Sequence, residues 1–278
     1  MVSTETSPAP VPAWNDDLLR DPHAVADKRS RVRKMFAAIA PSYDLNNRLH
    51  SLWMDQRWRK RAVHLATLGP DDDVLDVACG TGDLTLMFGA ALFSLRDRFL
   101  RPAQVIGLDF TYEMLPIARR KSGDRVVPNA VAITDIEPLA WSLRWINGDA
   151  QCLPFADACA DVVSIAFGIR NVADPAAAIR EFRRVLRPGG RLIVLEFSLP
   201  TNPLLRGLYN FYFRKVLPRT ATLISGDKTG AYKYLPESVN TFIGREQMIA
   251  MLQDAGFEKV EQFPMTFGVC VCYRGVKP

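Results

Sequence analysis

The densest chemistry in the chain lies in Val74-Leu75-Asp76-Val77-Ala78-Cys79-Gly80-Thr81-Gly82-Asp83. An apolar run meets an acid, then two glycines one position apart, then the helix-like Leu84-Thr85-Leu86-Met87-Phe88. That order predicts a buried strand, a tight turn and a helix start. Glycine at 80 and 82 lets the backbone turn sharply and admits a ligand with no Cβ in its way. The helix start adds unpaired N–H groups, so a cofactor site at the end of the first strand is expected. Two more carboxylates fall at comparable places: Asp109 in Gly107-Leu108-Asp109-Phe110 and Asp149 in Asn147-Gly148-Asp149-Ala150.

A dinucleotide turn calls for a third glycine and a ribose-binding acid about 20 residues further on. Here Thr85 replaces the third glycine, Asp76 precedes the turn, and Asp109 lies 27 residues beyond Gly82. A nicotinamide enzyme is therefore disfavoured. No Gly-Lys-Ser/Thr follows, so the phosphate loop is absent as well.

The elements that must position these residues alternate from Asp73 onward. Strand-like runs occur at 73–78, 104–109, 143–146, 161–167 and 190–197, separated by helical runs that include 112–121 and 174–186. This rhythm predicts an α/β fold, a mostly parallel sheet with helices on both faces. Arg187-Pro188-Gly189-Gly190 reads as a helix stop and a turn into the fifth strand. Beyond Pro200 comes an aromatic stretch, 205–217, with Tyr209, Phe211, Tyr212 and Phe213. A helix from Arg245 to Ala255 and two strand-like runs, 257–263 and 268–274, close the chain, the runs near enough to pair as an antiparallel hairpin. Upstream, residues 1–27 read as a flexible, Pro-rich tail. A first helix carries Val32, Met35, Phe36 and Ile39 and stops at Pro41. A second carries Leu45, Leu49, Leu52 and Trp53 on one face, with Arg57-Trp58-Arg59-Lys60-Arg61 on the remainder, and closes at Gly69-Pro70.

The chain has 278 residues, 48% of them hydrophobic, which suits one α/β domain with extensions. No apolar run is long enough for a membrane span, and the N-terminus does not read as a signal peptide, so a cytoplasmic protein is expected. Five cysteines and three histidines show no metal-ligand spacing, and no metal is expected. The net charge of +5 is concentrated between Lys28 and Arg61, where ten Lys or Arg face only Asp44 and Asp55. A solvated helix face, a nucleic-acid patch and an anionic membrane surface all remain open for this stretch.

The glycine turn, with Asp109 and Asp149, resembles motif I and its partners in the S-adenosylmethionine-dependent class I methyltransferases. The resemblance sharpens at Arg33-Lys34-Met35-Phe36 through Pro41-Ser42-Tyr43-Asp44-Leu45-Asn46. It is sharper still at Phe167-Gly168-Ile169-Arg170-Asn171-Val172, together with Arg187-Pro188-Gly189-Gly190 and Leu195-Glu196-Phe197-Ser198. These segments look like the quinone-biosynthesis C-methyltransferase family, over residues 30–278. Tyr234-Leu235-Pro236-Glu237-Ser238 and Asp254-Ala255-Gly256-Phe257 extend the match. The stretches 89–103 and 122–142 look longer than the family's usual connections, and Ala166 stands where some members carry serine.

The resemblance implies a Rossmann-like, seven-stranded, mostly parallel sheet with an antiparallel edge hairpin and an N-terminal helical arm. One domain would span 28–278: the arm at 28–69, the cofactor core at 70–200 and a substrate cover with the last strands at 201–278. S-adenosylmethionine would be held by Asp76, Gly80, Thr81, Gly82, Asp109, Asp149 and Ala150. In that set Asp109 accepts the ribose hydroxyls and Asp149 lies near the adenine amino group. The alternatives are that Asp76 braces the turn and that Asp149 caps the segment after it. The implied reaction is C-methylation of a polyprenylated hydroquinone, demethylmenaquinol to menaquinol. The equivalent benzoquinol step in the ubiquinone pathway is the alternative, and another small-molecule or nucleic-acid methyltransferase is the more distant one. Nucleic acid is disfavoured as a partner because the arm has only two Trp for stacking and no Asn-Pro-Pro-Tyr signature occurs.

A hydroquinone ring carbon becomes nucleophilic when its hydroxyl, of pKa about 10, gives up its proton. Arg170 is expected to stabilise the phenolate. Asn171 would bind a ring oxygen or a proton-accepting water. Tyr43 is either a relay or packing beside Pro41. The 205–217 segment and the N-terminal helices would wall an isoprenoid channel, and the 57–61 cluster would face anionic lipid at the inner face of the membrane. Oligomeric state stays open, a homodimer included.

Overall fold

Five apolar runs of the first two hundred residues become parallel strands: β1 (Val74–Val77), β2 (Ala103–Asp109), β3 (Trp141–Asn147), β4 (Ala160–Ala166) and β5 (Leu186–Phe197). The computed structural model describes residues 13–95, 103–123, 141–227 and 229–278. β6 (Glu258–Met265) and β7 (Cys270–Val276) complete a seven-stranded sheet in the order β3-β2-β1-β4-β5-β7-β6. β7 runs antiparallel to both β5 and β6, which is the expected edge hairpin. Every residue of β1 is buried, as a central strand covered on both faces requires. Strand order reverses between β1 and β4, and in such sheets ligands bind beyond the carboxyl ends at that reversal.

Ten helices stand among the described residues, three of them upstream of the sheet: α1 (Lys28–Ile39), α2 (Tyr43–Ser51) and α3 (Met54–Leu65). α4 (Asp83–Phe93), α5 (Leu115–Ser122) and α6 (Pro175–Val185) follow strands. α7 (Pro203–Phe211), a single π turn, α8 (Leu217–Ser225), α9 (Ala231–Asn240) and α10 (Arg245–Asp254) come after β5. α6 starts as its sequence dictates: Pro175 occupies the first turn and the Asp174 carboxylate accepts the Ala177 N–H at 3.0 Å. Ile179, Phe182 and Val185 of α6 and Met248 and Leu252 of α10 pack one sheet face. Ala62, Leu65, Leu84, Phe88 and Leu92 of α3 and α4 pack the other. A third cluster joins Val32, Met35 and Ile39 of α1 to Leu217, Ala221, Tyr232 and Tyr234, forming a helical cap.

Two sequence expectations are corrected. The tail is not loose through residue 27: Trp14 is buried, stacks on Tyr234 at 4.4 Å, and donates its backbone N–H to Thr229 at 3.1 Å. The second helix is two helices. Leu52 and Trp53 take left-handed φ of 53° and 60°, and the Leu52 N–H closes on the Arg48 and Leu49 carbonyls as a helix C-terminus does. The break leaves Leu45, Leu49, Leu52 and Trp53 in solvent and swings Trp58 and Arg59 of α3 inward. In the longer connections noted above, residues 96–102 and 124–140 lie outside the described residues.

Candidate active site

The turn after β1 is built from within. Asp76 pairs in register with Gly107 of β2 and Ser164 of β4, so its side chain meets that of Ser164. Its oxygens accept the Ser164 hydroxyl at 2.7 Å and the Thr85 hydroxyl at 2.6 Å. Burial pushes its pKa up to about 6 against those two bonds. Asp76 is 1% exposed and does not reach the cavity, so it braces strand, turn and helix α4 together. Gly82 (φ +85°) has no room for a side chain, because a Cβ there would stand 2.5 Å from the Trp145 ring. Gly80 (φ +55°) is different: a Cβ there would meet only Tyr43, at 4.0 Å, and the glycine lines the cavity. Thr81 faces away and donates to Asp44 of α2 at 2.5 Å. Lys121 bonds Asp44 at 2.8 Å and also Asp83, so the arm is tied to the turn.

Beyond the turn a cavity opens over the carboxyl ends of β1, β2 and β4. Asp109 lies in its wall, 7% exposed. Its carboxylate accepts the Gly80 N–H and the Thr111 N–H, both at 2.7 Å, while burial lifts its pKa to about 6. Each oxygen keeps lone-pair capacity for a further donor. Asp149 also lines this cavity, accepting the Gln151 N–H at 3.0 Å and pairing with Arg29 of α1 at 2.7 Å. Ala150 is buried in the wall beside it. Carboxylates set by strand ends and a side-chain-free turn suit a ligand that brings hydroxyls, an amine and positive charge. They suit S-adenosylmethionine, which carries no phosphate.

A second cavity lies beneath the cap. Trp58, Tyr209, Tyr212, Phe213 and Leu217 make it largely apolar, and Phe36, Tyr43 and Phe167 line both cavities. Phe167 holds its ring there from a left-handed backbone (φ 56°), with its N–H on the Leu195 carbonyl at 2.7 Å. Arg170 opens on the second cavity and Asn171 on the first. The Arg170 guanidinium donates to Glu196 at 2.6 Å and to the Phe167 carbonyl at 2.8 Å, and lies 5.3 Å over the Phe197 ring. Asn171 is oriented at both ends: its oxygen accepts the Tyr234 hydroxyl at 3.0 Å, and its nitrogen donates to the Phe167 carbonyl at 3.2 Å. Burial raises the Tyr43 phenol above its ordinary value, against the pull of Arg59 and Asn47, so at neutral pH it is a hydrogen-bond donor.

The structure brings Gly80, Asp109, Asp149, Ala150, Tyr43, Arg170 and Asn171 to these two joined cavities, and leaves Asp76, Thr81 and Gly82 behind them. Sequence reasoning missed Asp55 and Arg59. Rather than facing lipid, Arg59 is 7% exposed, pairs with Asp55 at 2.8 Å and lies 5.1 Å over the Phe167 ring, and both line the second cavity. Their i, i+4 spacing around Trp58 was the available signal. Arg29, Arg48 and Arg59 are each spent on carboxylates of the site or its supports, which is where much of the arm's positive charge goes.

Strand-end carboxylates, a glycine turn at the sheet reversal and a capped second cavity define a class I methyltransferase. The chain shares its fold with an S-adenosylmethionine-dependent methyltransferase from Thermotoga maritima (TM-score 0.53, 19% identity, covering 89% of this chain and 100% of that one). The methyltransferase bound to the Trm112 activator of Haloferax volcanii matches as well (TM-score 0.53, 19% identity, 86% and 97% covered). By sequence the chain belongs to the ubiE/COQ5 methyltransferase family, whose pattern matches residues 24–277. It is 46% identical over 244 residues to the demethylmenaquinone methyltransferase of Thermus thermophilus, covering 88% of this chain and 100% of that protein. It is 40% identical to the protein of the same name in Deinococcus radiodurans (90% and 94% covered). To the ubiquinone/menaquinone biosynthesis C-methyltransferase UbiE of Geobacter sp. strain M21 it is 38% identical (92% and 100% covered).

Proposed function

We propose that this protein methylates a ring carbon of a reduced, polyprenylated quinone, with demethylmenaquinol as substrate and menaquinol as product. The observation that carries the reading is the meeting of a carboxylate-lined cavity and an aromatic cavity at Phe36, Tyr43 and Phe167, with Arg170 and Asn171 at the junction. The names borne by the Thermus and Deinococcus relatives favour the naphthoquinol ring over the benzoquinol.

S-adenosylmethionine, when bound, supplies an electrophilic methyl group. Asp109 would accept its ribose hydroxyls, Asp149 would lie at the adenine amino group, and Gly80 lets it approach the backbone. The ring lies in the second cavity with its hydroxyl toward Arg170, whose permanent charge stabilises the phenolate as the proton leaves. Glu196 fixes the guanidinium, and Asn171, held by Tyr234, offers its remaining amide N–H toward the ring oxygen. Tyr43, which lines both cavities, donates as well. The Phe167 and Phe197 rings, in contact at 4.6 Å, form one aromatic wall of the second cavity and keep water out.

The polyprenyl tail leaves along the aromatic segment. α2 and α7 flank that route, and Tyr212 of the π turn that follows α7 donates its hydroxyl to the His50 carbonyl of α2 at 3.1 Å. Each helix bears an outward apolar stripe: Leu45 and Leu49 on α2, continued by Leu52 at its C-terminal cap, and Leu204, Leu208 and Phe211 on α7. Leu52 is 78% and Leu204 73% exposed. Among the described residues no helix is long and apolar enough to cross a membrane. These stripes are the surface by which the protein rests on the cytoplasmic leaflet while the tail enters, with exposed Arg57, Lys60 and Arg61 as support. Incubation with labelled S-adenosylmethionine and each of the two demethylated quinols, followed by mass analysis, tests the reading. A one-methyl gain on the naphthoquinol is expected, and no gain on either ring would overturn it.

A further inference from the structure

A buried ammonium ties the N-terminal arm to the turn that carries Arg170 and Asn171. Lys28, the first residue of α1, is 3% exposed. Its Nζ lies 2.9 Å from the Arg170 carbonyl, 2.7 Å from the Val172 carbonyl and 3.2 Å from His23 Nδ1. His23 Nε2 lies 2.9 Å from the Ser238 carbonyl of α9. A carbonyl can only accept, so the proton of a neutral His23 sits on Nε2 and leaves Nδ1 as an acceptor. Lys28 then has three N–H groups and three acceptors. A doubly protonated His23 would instead aim a second cation at Lys28.

We propose that Lys28, oriented by His23, is the positioning residue of the catalytic turn. It fixes the backbone on both sides of Asn171 and so sets where Arg170 and Asn171 meet the two cavities. Its kinetic consequence rests on the quinol-methylation reading. The lock itself does not.

The charged and titratable groups that face this pair are Asp21 on the preceding turn and Arg170 with its partner Glu196. The Phe242 ring packs on His23 at 5.3 Å. Burial, with Lys28 and Arg170, holds His23 below its ordinary 6.5 against the Ser238 bond and Asp21. Burial also brings Lys28 down to about 8. Both groups therefore bind protons less readily when the arm is docked than when it is free. Docking strengthens as pH rises and weakens as pH falls below 6.5. Above pH 8 a neutral Lys28 still has two N–H groups for the two carbonyls, so no alkaline release accompanies its deprotonation.

The test follows the His23 ring by NMR and backbone amide exchange in the full chain without quinol, from about pH 8 to about pH 5.5. The Asn171 and Val172 amides, bonded to the Gly168 and Ile169 carbonyls, report the turn, and those of α1 report the arm. After correction for intrinsic exchange, both sets should lose protection together as His23 takes up its proton. His23→Gln, which keeps a donor for Ser238 and does not titrate, should abolish that acid loss. Lys28→Met should expose both sets at every pH. It should also lower kcat about 100-fold, the order expected of a misplacement of about 1 Å, with S-adenosylmethionine affinity held. Wild-type protection and kcat in Lys28→Met, or an unchanged acid loss in His23→Gln, would overturn the proposal. If Lys28→Met does not fold, the His23→Gln comparison decides alone. Exchange needs no quinol, so a protein inert toward quinols could still show the lock. An active protein indifferent to both substitutions would keep the function and lose the lock.

Discussion

Replacing Arg170 should damage the fold as well as the chemistry, and the two losses should separate in a double substitution. Arg170 is 4% exposed and Glu196 2%, their charged atoms 2.6 Å apart. Glu196 also receives the Phe197 N–H at 2.8 Å, so it cannot swing out to water when its partner is lost. Arg170→Met leaves a buried carboxylate uncompensated, at a cost of about 3–5 kcal/mol. For a chain of this size each kcal/mol lowers Tm by about 2–4 °C, so a fall of about 6–20 °C is expected. Glu196→Gln strands the guanidinium and should cost a similar amount. The pair Arg170→Met/Glu196→Gln removes both charges and should recover most of the Tm, since a buried pair exchanged for neutral groups is close to neutral. Turnover should not recover. The missing donor at the phenolate costs about 10²–10³ in kcat, and the second substitution restores no charge. S-adenosylmethionine binding by the double variant should stay near wild type, because Asp109, Asp149 and Gly80 are untouched. Thermal denaturation, calorimetry and single-turnover methylation together form the assay. An unchanged Tm in Arg170→Met, or a double variant as unstable as the sum of the singles, would refute the ion-pair reasoning. Full turnover in the double variant would refute the catalytic assignment.

Four further outcomes are expected. Gly82→Ala combines φ +85° with a Cβ 2.5 Å from Trp145 and should cost at least about 1–3 kcal/mol by denaturation; an unaltered melt contradicts the packing. Asp109, lifted to about 6, gains its proton as pH falls through that value and loses an acceptor for ribose. S-adenosylmethionine Kd should rise by up to about tenfold per pH unit below 6, a dependence that Asp109→Asn should flatten. Tyr43→Phe should lower kcat about tenfold or more through loss of a donor, while leaving the alkaline limb of the pH profile in place; a vanished limb would make Tyr43 a base instead. Finally, Leu52, Leu208 and Phe211 changed together to Ser should abolish flotation with vesicles of neutral lipid, each buried side chain contributing about 1.5–3 kcal/mol. Arg57, Lys60 and Arg61 changed to Gln should affect only the anionic-lipid increment, and the reverse pattern would return the contact to the basic cluster.

Much of the fold was legible because its signals are local. β1, the glycine turn and α4 follow from one unbroken stretch in which apolar period, glycine placement and helix start agree. The strand ends that carry Asp109 and Asp149 were readable in the same way. Arg170 and Asn171 came from resemblance, since nothing in their spacing shows that the fourth strand ends beside the first. The errors fell where two elements compete for a residue. Leu45, Leu49, Leu52 and Trp53 have a core helix's pattern, yet the left-handed pair at 52 and 53 turns that face outward. Trp14 lies in a Pro-rich segment of tail-like composition, yet Tyr234, more than two hundred residues away, supplies a surface for it.

The sequence by itself determined the strand-and-helix rhythm, the cofactor turn and the carboxylates at three strand ends, because each depends on neighbours within a few residues. Tertiary structure alone decided which polar residues line the cavities and which hold the walls behind them. Asp76 and Asp109 are both strand-end aspartates with one bond on each oxygen, but the first is enclosed between Ser164 and Thr85, while the second stands in the cavity wall. Arg57 and Arg59 are two residues apart, but one lies in solvent and the other is buried with its guanidinium 5.1 Å over the Phe167 ring. Burial and partner are set by what packs across from a residue, and that partner comes from a distant part of the chain.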